Sequence, residues 1–506
     1  MNSNKTVQTV EPAAKRWWAL AILVLACLLV SIDNTVLFIA VPALSQDLKP
    51  SANQLLWISD SYTLVIAGLL VTMGNLADRI GRKKLLLIGS AAFGLSSILA
   101  AYATTPEMLI CARALMGAAG ANLMPSTLAL IRNIFIDDRE RTRAIAIWAS
   151  AFGVGGVLGP VIGGFILEHF HWGSVFLINV PVMVILIIFG ALLLPESKNP
   201  NPGSFDVLSS LLSLVTMVSF VYAIKHFAHN AFDWITLTTL MISVIGGTVF
   251  VRRQLRQYQP MMDVYLFRIR AFTGANLINM VAIFGIIGLN YFFSQYLQFL
   301  RGYSPLTAGF AELPIAVAQL VLPALVGFFI ARFAYRGSIA GGMLLTAGAF
   351  ALLAYTVTLE PYWPTAVALG LLGFGAATAM SLTNDVILSA VPPERAGAAS
   401  AISETGFELG AAFGIAVMGS LINSVYSQSL QLPAGVDSVS RETISESLAG
   451  AVSFFDDQTI FTAVNTAYVQ AVQMTLLVAA ALCVCSAIIA WFTVPRRISS
   501  VGGEQG

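Results

Sequence analysis

The stretch Trp18–Ala43, WALAILVLACLLVSIDNTVLFIAVPA, decides the fold of this 506-residue chain. It exceeds the roughly 20 apolar residues that a helix needs to cross a bilayer, and Asp33 is its single charge. A carboxylate inside such a helix costs about 2.5–3.5 kcal/mol on insertion scales and usually faces a protein interior or a water-filled cavity. We therefore expect a membrane helix whose acid either has a function or makes a hydrogen bond between helices.

The composition extends this expectation to the whole chain. It is 57% hydrophobic and only 10% charged, whereas soluble domains carry about 25% charged residues. The sequence therefore predicts an all-α integral membrane protein whose main environment is the lipid bilayer. A net charge of +1 without a basic patch gives no sign of nucleic-acid binding. The four Cys and four His residues lack the spacing of a metal site, and no phosphate-binding loop of the Gly-rich Lys-Ser/Thr kind is present.

Apolar runs predict fourteen membrane helices. Their expected spans are 18–43, 55–77, 84–103, 107–131, 144–167, 172–194, 205–226, 232–251, 271–300, 305–331, 338–359, 363–391, 398–421 and 466–493. A partial repeat relates the two halves, because GNLADRIGRK from Gly74 recurs as GFFIARFAYR from Gly327. Internal repeats are typical of transporters. We therefore divide the chain into a cytoplasmic N-terminus 1–17, a six-helix bundle 18–194, inserted helices 7 and 8 with their linkers 195–270, a six-helix bundle 271–493 and a tail 494–506.

The basic residues predict the orientation. Most of the 27 Lys and Arg residues fall on one side of the predicted helices, and Lys49, Lys225, Arg301 and Arg441 fall on the other. Because cytoplasmic segments carry the excess of Lys and Arg, both termini are expected in the cytoplasm. The extracytoplasmic segment 423–465 alternates polar and apolar stretches. It either folds back as an amphipathic hairpin against the membrane or the transport mouth, or is a mobile loop.

A glycine-rich basic motif connects helices 2 and 3. It runs Gly74-Asn-Leu-Ala-Asp78-Arg79-Ile-Gly81-Arg82-Lys83-Lys84. The small residues permit close helix approach, and the aspartate can pair with an arginine or lie at a helix N-terminus, where partial positive charge favours it. Such a contact can hold one conformation and release in another. The alternative is an ordinary basic turn, which the ordered set of Gly, Asp, Arg and Gly disfavours.

This motif resembles the signature loop of the major facilitator superfamily. Helix 5 adds a motif that resembles that of the drug-exporting antiporters, comprising Gly155, Gly159, Pro160, Gly163 and Gly164. Its glycines allow close packing and its proline removes a backbone donor and kinks the helix. Arg113 in helix 4 and the run Trp172–Pro181 are also similar to the superfamily's fourteen-helix drug:proton antiporter branch. The resemblance covers the whole chain and implies two six-helix bundles plus two inserted helices.

For four of the acids inside predicted helices, the resemblance implies roles in proton coupling and cation recognition. They are Asp33, Asp60, Glu404 and Glu408. The two glutamates stand at i and i+4, on one helix face. Two such carboxylates repel when both are ionised, which suits a carrier that loads and unloads a proton. An intramembrane arginine needs acidic or carbonyl partners, so Arg113 joins this set, as the resemblance also implies.

Aromatic and polar side chains predict a substrate cavity. An aromatic face attracts a lipophilic cation, and the candidates are Trp57, Tyr62, Tyr291, Phe292, Phe293, Tyr296 and Phe407. Most membrane aromatics instead pack or form interfacial belts. Related exporters can carry a further acid in helix 10, where this chain has Gln319, and Glu312 lies about two turns earlier. This departure places divalent cations in doubt as substrates.

The resemblance implies a proton-driven multidrug efflux antiporter rather than an enzyme. It would export quaternary ammonium compounds and cationic dyes by alternating access, as a monomer in the cytoplasmic membrane of a bacterium. It would use the proton gradient and no cofactor. One alternative is a proton-coupled importer of a small metabolite, against which the helix 5 motif argues. Another is a non-transporting sensor or scaffold, which would leave the buried acids unexplained.

Overall fold

The computed structural model describes residues 13–198, 206–230, 233–258, 260, 262–321, 326–392, 395–433 and 436–496. Regular secondary structure in these residues is helical throughout. The helices are α1 Ala13–Leu48, α2 Ala52–Ile80, α3 Arg82–Ala101, α4 Pro106–Gly120, α5 Leu123–Ile134, α6 Asp138–His169, α7 Ser174–Leu177, α8 Asn179–Leu193, α9 Val207–Asn230, α10 Trp234–Arg256, α11 Arg270–Gln295, α12 Pro305–Val321, α13 Val326–Thr356, α14 Trp363–Ser389, α15 Ala396–Ser429, α16 Ser438–Glu446, α17 Leu448–Ala451 and α18 Gln458–Thr493.

These helices confirm the predicted fold class. Within the described residues, thirteen helical segments are long and apolar enough to cross a membrane, and α12 is a shorter apolar helix. Two spans consist of paired helices, α4 with α5 and α7 with α8, and a π-helical turn at Tyr296–Leu300 extends α11. The predicted helix 10 over 305–331 includes 322–325, which lie outside the described residues. The predicted span before this gap forms α12, and the residues 326–331 after it form the start of α13. Ala334 of α13 has a φ of 56° and bends that helix.

Two hydrophobic cores organise the helices into bundles. Helices α1 to α8 enclose one core around residues such as Phe93 and Met116, and α11 to α18 enclose the other around Phe272 and Phe350. Large apolar side chains such as Leu192 remain exposed on the outside, as expected where lipid replaces water. Helices α9 and α10 pack on each other, and α9 also contacts α2 and α15.

The bundle ends differ in charge, and we name them accordingly. The basic face carries the turn between α2 and α3 with Arg79 and Arg82, and the distal face is the opposite end. On the distal side, Gln298 Nε2 donates to the Ile39 carbonyl across the bundles at 3.0 Å. At Gly419, an added Cβ would lie 2.5 Å from the Leu56 side chain, so α15 and α2 touch closely there. These contacts join the two bundles at the distal face.

The segment between α15 and α18 is largely helical. It is shorter than the predicted 423–465, because α15 continues to Ser429 and α18 begins at Gln458. Helices α16 and α17 bury Ile444 and Leu448 against the C-terminal bundle, and the Tyr426 hydroxyl donates to the Ile444 carbonyl at 2.8 Å. The amphipathic pattern therefore corresponds to two short helices that pack against the C-terminal bundle.

Candidate functional site

Asp33 lies at the centre of a polar network inside the N-terminal bundle. Its side chain is 0% exposed. Arg113 Nη1 from α4 donates to Oδ2 at 2.8 Å, and Asn179 Nδ2 from α8 donates to Oδ1 at 2.7 Å. Asn179 also donates to the Ser97 hydroxyl of α3 at 3.2 Å. Both carboxylate oxygens therefore have charged or polar donors, as a buried charge requires.

Tyr62 lies over the arginine of this network. The Arg113 guanidinium carbon is 4.3 Å from the centre of the Tyr62 ring, a cation–π distance. Tyr62 is fully buried, and its hydroxyl has no hydrogen-bond partner among the described residues. Both Asp33 and Glu408 lie within range of a Coulombic interaction with Tyr62. The Tyr62 side chain is therefore in contact with the Asp33 network and within electrostatic range of an acid of the other bundle.

The two glutamates of α15 differ in environment although they share a helix face. Glu408 is 2% exposed, and its Oε1 has no hydrogen-bond partner among the described residues. Glu404, one turn nearer the basic face, is exposed. It interacts electrostatically with Glu408 and with Cys27 of α1. Both glutamates therefore lie within electrostatic range of the N-terminal bundle, and the Glu404 side chain is exposed whereas that of Glu408 is buried. Phe407 beside Glu408 is half-buried.

Asp60 makes a second buried ion pair, with Lys225 of the inserted helix α9. Lys225 Nζ lies 2.7 Å from Asp60 Oδ2, and the two side chains are 1% and 0% exposed. Lys225 Nζ also lies 4.0 Å from the centre of the Trp57 ring. Tyr291 of α11 lies within Coulombic range of Asp60. This site therefore combines α2, α9 and α11, whereas the Asp33 network stays within one bundle.

Glu312 and Gln319 both lie on α12. Glu312 is buried, and its Oε1 has no hydrogen-bond partner among the described residues. It lies within Coulombic range of Tyr362 in the C-terminal bundle, and Gln319 is half-buried. The aromatics Phe292, Phe293 and Tyr296 pack in the C-terminal core. These three side chains therefore contribute to the hydrophobic core, and their positions do not require a substrate cavity.

Comparisons with known proteins identify the family to which this helical fold belongs. The family model described as the Major Facilitator Superfamily matches residues 23–415. The chain belongs to the Major Facilitator Superfamily. The resemblance predicted from the motifs is thereby confirmed, and the chain is a multi-pass membrane transporter rather than an enzyme.

Named relatives of this superfamily member are resistance and efflux proteins. It is 44% identical to the multidrug efflux pump LfrA of Mycolicibacterium smegmatis, over 89% of this chain and 90% of the relative. It is 35% identical to the methyl viologen resistance protein SmvA of Salmonella typhimurium, over 95% and 99%. The tetracenomycin C resistance and export protein of Streptomyces glaucescens is 33% identical, over 81% and 76%.

Solved structures share the superfamily fold. A bacterial homolog of the human lysosomal transporter Spinster matches with a TM-score of 0.67 at 16% identity, covering 95% of this chain and 97% of that one. The human organic anion transporter MFSD10 matches with a TM-score of 0.60 at 15% identity, covering 95% and 100%. At such identities the likeness concerns the fold.

In this superfamily member the motif between α2 and α3 forms a tight turn. Arg82 donates to Asp78 Oδ1 through Nε at 3.0 Å and Nη2 at 2.8 Å, while Arg79 is exposed and Gly74 approaches Pro125 of α5. Gly81 has a φ of 116°, a conformation that favours glycine. A Cβ there would also lie 2.6 Å from the Glu196 carboxylate, which accepts hydrogen bonds from the backbone at the start of α3.

The glycines of α6 face two different helices. Added Cβ atoms at Gly155, Gly159 and Gly163 would meet Ser31, Thr35 and Val36 of α1 at 2.5, 1.9 and 2.5 Å. One at Gly164 would lie 2.6 Å from Leu306 of α12 in the other bundle. The carbonyl of Pro160 would lie 2.4 Å from a Cβ added at Gly309, also on α12. The motif therefore allows α6 to pack tightly against α1 and against the opposite bundle.

Sequence reasoning missed three polar partners. The distribution of basic residues places Lys225 in an external segment, which is wrong; a lone lysine in the apolar run VSFVYAIKHF is a signal of intramembrane pairing. Asn179 lies within the run Trp172–Pro181, which does not single it out as a polar partner. Glu196 follows the end of the predicted span 172–194, and nothing in the sequence indicates its contact with the start of α3. Among the residues that the structure describes, no group of three His, Cys, Asp or Glu side chains is arranged to hold a metal ion.

Proposed function

We propose that this transporter is a proton-driven multidrug efflux antiporter that exports lipophilic cations such as quaternary ammonium compounds and cationic dyes. The observation that carries the proposal is the buried Glu408, whose Oε1 lacks a partner among the described residues and which interacts with Tyr62 of the opposite bundle. A buried carboxylate without a partner is costly, so it favours a proton or a cation. The efflux pump and resistance proteins among the relatives support the drug part of the proposal.

The proposed orientation places the basic face in the cytoplasm. Most Lys and Arg residues belong to that face, in accordance with the positive-inside rule. Because the bundles touch at the distal face, this conformation is then inward-facing. The protein works in the cytoplasmic membrane of a bacterium, with both termini inside, and acts as a monomer because each chain carries its own set of acids.

The proposed coupling is Coulombic. A lipophilic cation enters from the cytoplasm or the inner leaflet and meets Glu404, which is exposed between the bundles, and then the buried Glu408. After the bundles rock, protons from outside neutralise these acids and the cation leaves. Asp33, Arg113 and Tyr62 transmit the charge state of α15 to the N-terminal bundle, since Tyr62 interacts with Glu408 and with the ion pair.

Transport by purified protein in proteoliposomes tests the proposal. Vesicles with an acidic lumen and an alkaline exterior should accumulate tetraphenylphosphonium through molecules whose basic face points outward, and nigericin with potassium should abolish the accumulation. Glu408→Gln should remove it. Glu360→Gln, the same change at an exposed position, should leave it intact. Undiminished transport by Glu408→Gln contradicts the coupling role. Accumulation that instead requires an acidic exterior indicates proton-coupled import.

A further inference from the structure

The ion pair between Asp60 and Lys225 is buried but sparsely supported. Its two side chains are 0% and 1% exposed, and the shortest nitrogen–oxygen distance is 2.7 Å. Among the described residues, none donates a hydrogen bond of standard geometry to either oxygen of Asp60. A buried carboxylate needs compensating charge, and here a single flexible lysine side chain provides it.

The surroundings of the Lys225 ammonium match those of a site for an organic cation. Trp57 presents its ring at 4.0 Å from Nζ, and Tyr222 lies beside that ring with a centroid distance of 6.3 Å. A carboxylate next to aromatic faces attracts ammonium and phosphonium groups as well as lysine. The Asp60 site therefore holds a cation at present, and that cation belongs to the chain itself.

The Lys225 side chain also borders a cavity into which it can turn. It lines a distal vestibule of about 510 Å³, together with Leu56, Ser420 and Asn423. Glu442 and Glu446 of α16 line the same vestibule. The lysine side chain carries its charge on four rotatable carbons. A rotamer change can therefore move the ammonium from the buried carboxylate towards the water and the acids of the vestibule.

We propose that Lys225 is a tethered competitor of the transported cation: its ammonium fills the Asp60–Trp57 site when that site is free and turns into the distal vestibule when an organic cation binds there. The inserted helix α9 thereby contributes a residue to the substrate site. The chemical class of the competing cation rests on the proposed function. The occupancy of the site by Lys225 rests on its contacts.

The competition follows from the number of charges that the site accommodates. Asp60 carries one negative charge, and in the part of the chain that the structure describes Lys225 alone neutralises it. A second cation beside Lys225 would be repelled in a low-dielectric site. The other titratable groups nearby are Tyr291 of α11, the two vestibule glutamates and His226, which is bonded to Asp233 at 2.8 Å. An entering cation must therefore displace the lysine, and this displacement lowers the apparent affinity.

Binding of tetraphenylphosphonium to the full-length protein in nanodiscs, measured calorimetrically at one fixed pH, tests the proposal. Lys225→Gln should bind the probe at least about tenfold more tightly than the wild type, because the competitor is gone. Lys225→Arg should not gain affinity, since it keeps a cation. Asp60→Asn combined with Lys225→Gln should lose the gain. Lys49→Gln removes an exposed lysine from the same distal face and should change nothing.

A second measurement uses only the wild-type protein. A membrane-impermeant amine reagent should modify Lys225 slowly without the probe and faster with it, because bound tetraphenylphosphonium drives the ammonium into the vestibule. Mass spectrometry quantifies the modification, and Lys49 serves as the exposed internal standard. Labelling of Lys225 that stays constant or falls contradicts the proposal.

The outcomes separate this inference from the proposed function. If the wild type binds the probe and Lys225→Gln binds it no more tightly, the competitor role is wrong while the efflux function stands. If only Lys225→Gln binds, the competitor role stands and the wild-type substrate is a different cation. If neither protein binds, both proposals fall. Damage to the fold would weaken binding, so a gain of affinity distinguishes competition from a structural role.

Discussion

Two buried aspartates of the N-terminal bundle are held in opposite ways. Asp33 accepts hydrogen bonds from Arg113 and Asn179, which belong to the same bundle. Among the described residues, Asp60 has one oppositely charged partner, Lys225, which comes from the inserted helix α9 and borders a vestibule. Both aspartates are 0% exposed, so burial alone does not distinguish them. The number, type and origin of their partners do.

The difference separates a permanent charge pair from an exchangeable one. Arginine remains protonated in proteins and offers a fixed fork of donors, whereas a buried lysine can lose its proton and has a flexible stem. The Asp33 network is therefore suited to remain intact, with Tyr62 as the side chain through which it interacts with Glu408. The Asp60 pair suits a place where one cation replaces another.

The largest expected effect is on stability, when the same substitution is made at both aspartates. Asp33→Asn leaves the Arg113 guanidinium buried without its counter-charge and should destabilise the protein by about 3–5 kcal/mol. Asp60→Asn should cost less, about 1–3 kcal/mol, because Lys225 can lose its proton or turn to the vestibule. Unfolding in detergent, followed by fluorescence, measures both. An equal loss at the two sites would remove the distinction between them.

The sequence is sufficient to predict which acids lie in the membrane helices, but it does not predict which basic residue pairs with each of them. The single charge in each apolar run identified Asp33, Asp60 and Arg113, because isolated intramembrane charges stand out against apolar neighbours. Which arginine or lysine meets which aspartate depends on helix packing. Counting charges places Lys225 in the wrong environment, because it treats every lysine as a loop residue. Helical spacing likewise put Glu404 and Glu408 on one face, whereas their different burial follows from the neighbouring bundle.

Helix contact near Asp33 provides the second prediction. A Cβ at Gly159 would lie 1.9 Å from Thr35 Oγ1, two residues beyond Asp33 on α1. Gly159→Ala should therefore push α6 away from the fixed site and cost about 1–3 kcal/mol through overpacking. Gly156→Ala is the matched control, because nothing lies within 4 Å of its added Cβ. Thermal unfolding of both variants is the measurement, and equal stabilities would mean that this contact with α1 does not constrain α6.

Exchanging the type of cation at the Asp60 site is the third prediction. Lys225→Arg keeps the positive charge and adds donors for the Asp60 carboxylate. In the wild type neither oxygen of that carboxylate accepts a hydrogen bond of standard geometry from a described residue. A charge-assisted hydrogen bond contributes about 1.5–3 kcal/mol, so the pair should open less readily and tetraphenylphosphonium export should slow about tenfold or more. Initial rates in proteoliposomes measure this. Export at the wild-type rate would show that opening of the pair does not limit transport.

The smallest effect concerns the anchor of the helix that carries Lys225. Asp206 precedes α9 and accepts hydrogen bonds from Arg253 of α10 at 3.1 Å and from the Ser209 backbone at 3.0 Å. Burial opposes ionisation of this carboxyl, but the hydrogen bonds from Arg253, Ser209 and Gln257 outweigh it and hold the pKa of Asp206 well below its ordinary value. The unfolded chain therefore binds this proton more readily than the folded protein does.

Because the folded pKa is depressed, the contribution of Asp206 is complete above its unfolded pKa of about 3.9 and is lost as the pH falls towards the folded value. Arg253 is partly exposed, so Asp206→Asn should cost only about 0.2–1 kcal/mol at neutral pH and should flatten the fall in melting temperature below pH 4. Asp457→Asn alters a capping carboxylate at α18 instead and serves as the control for probe affinity. If α9 positions Lys225, Asp206→Asn should also shift probe affinity slightly towards that of Lys225→Gln, while Asp457→Asn should not. An unchanged affinity would mean that the contacts of α9 with α2 and α15 hold the lysine without the anchor to α10.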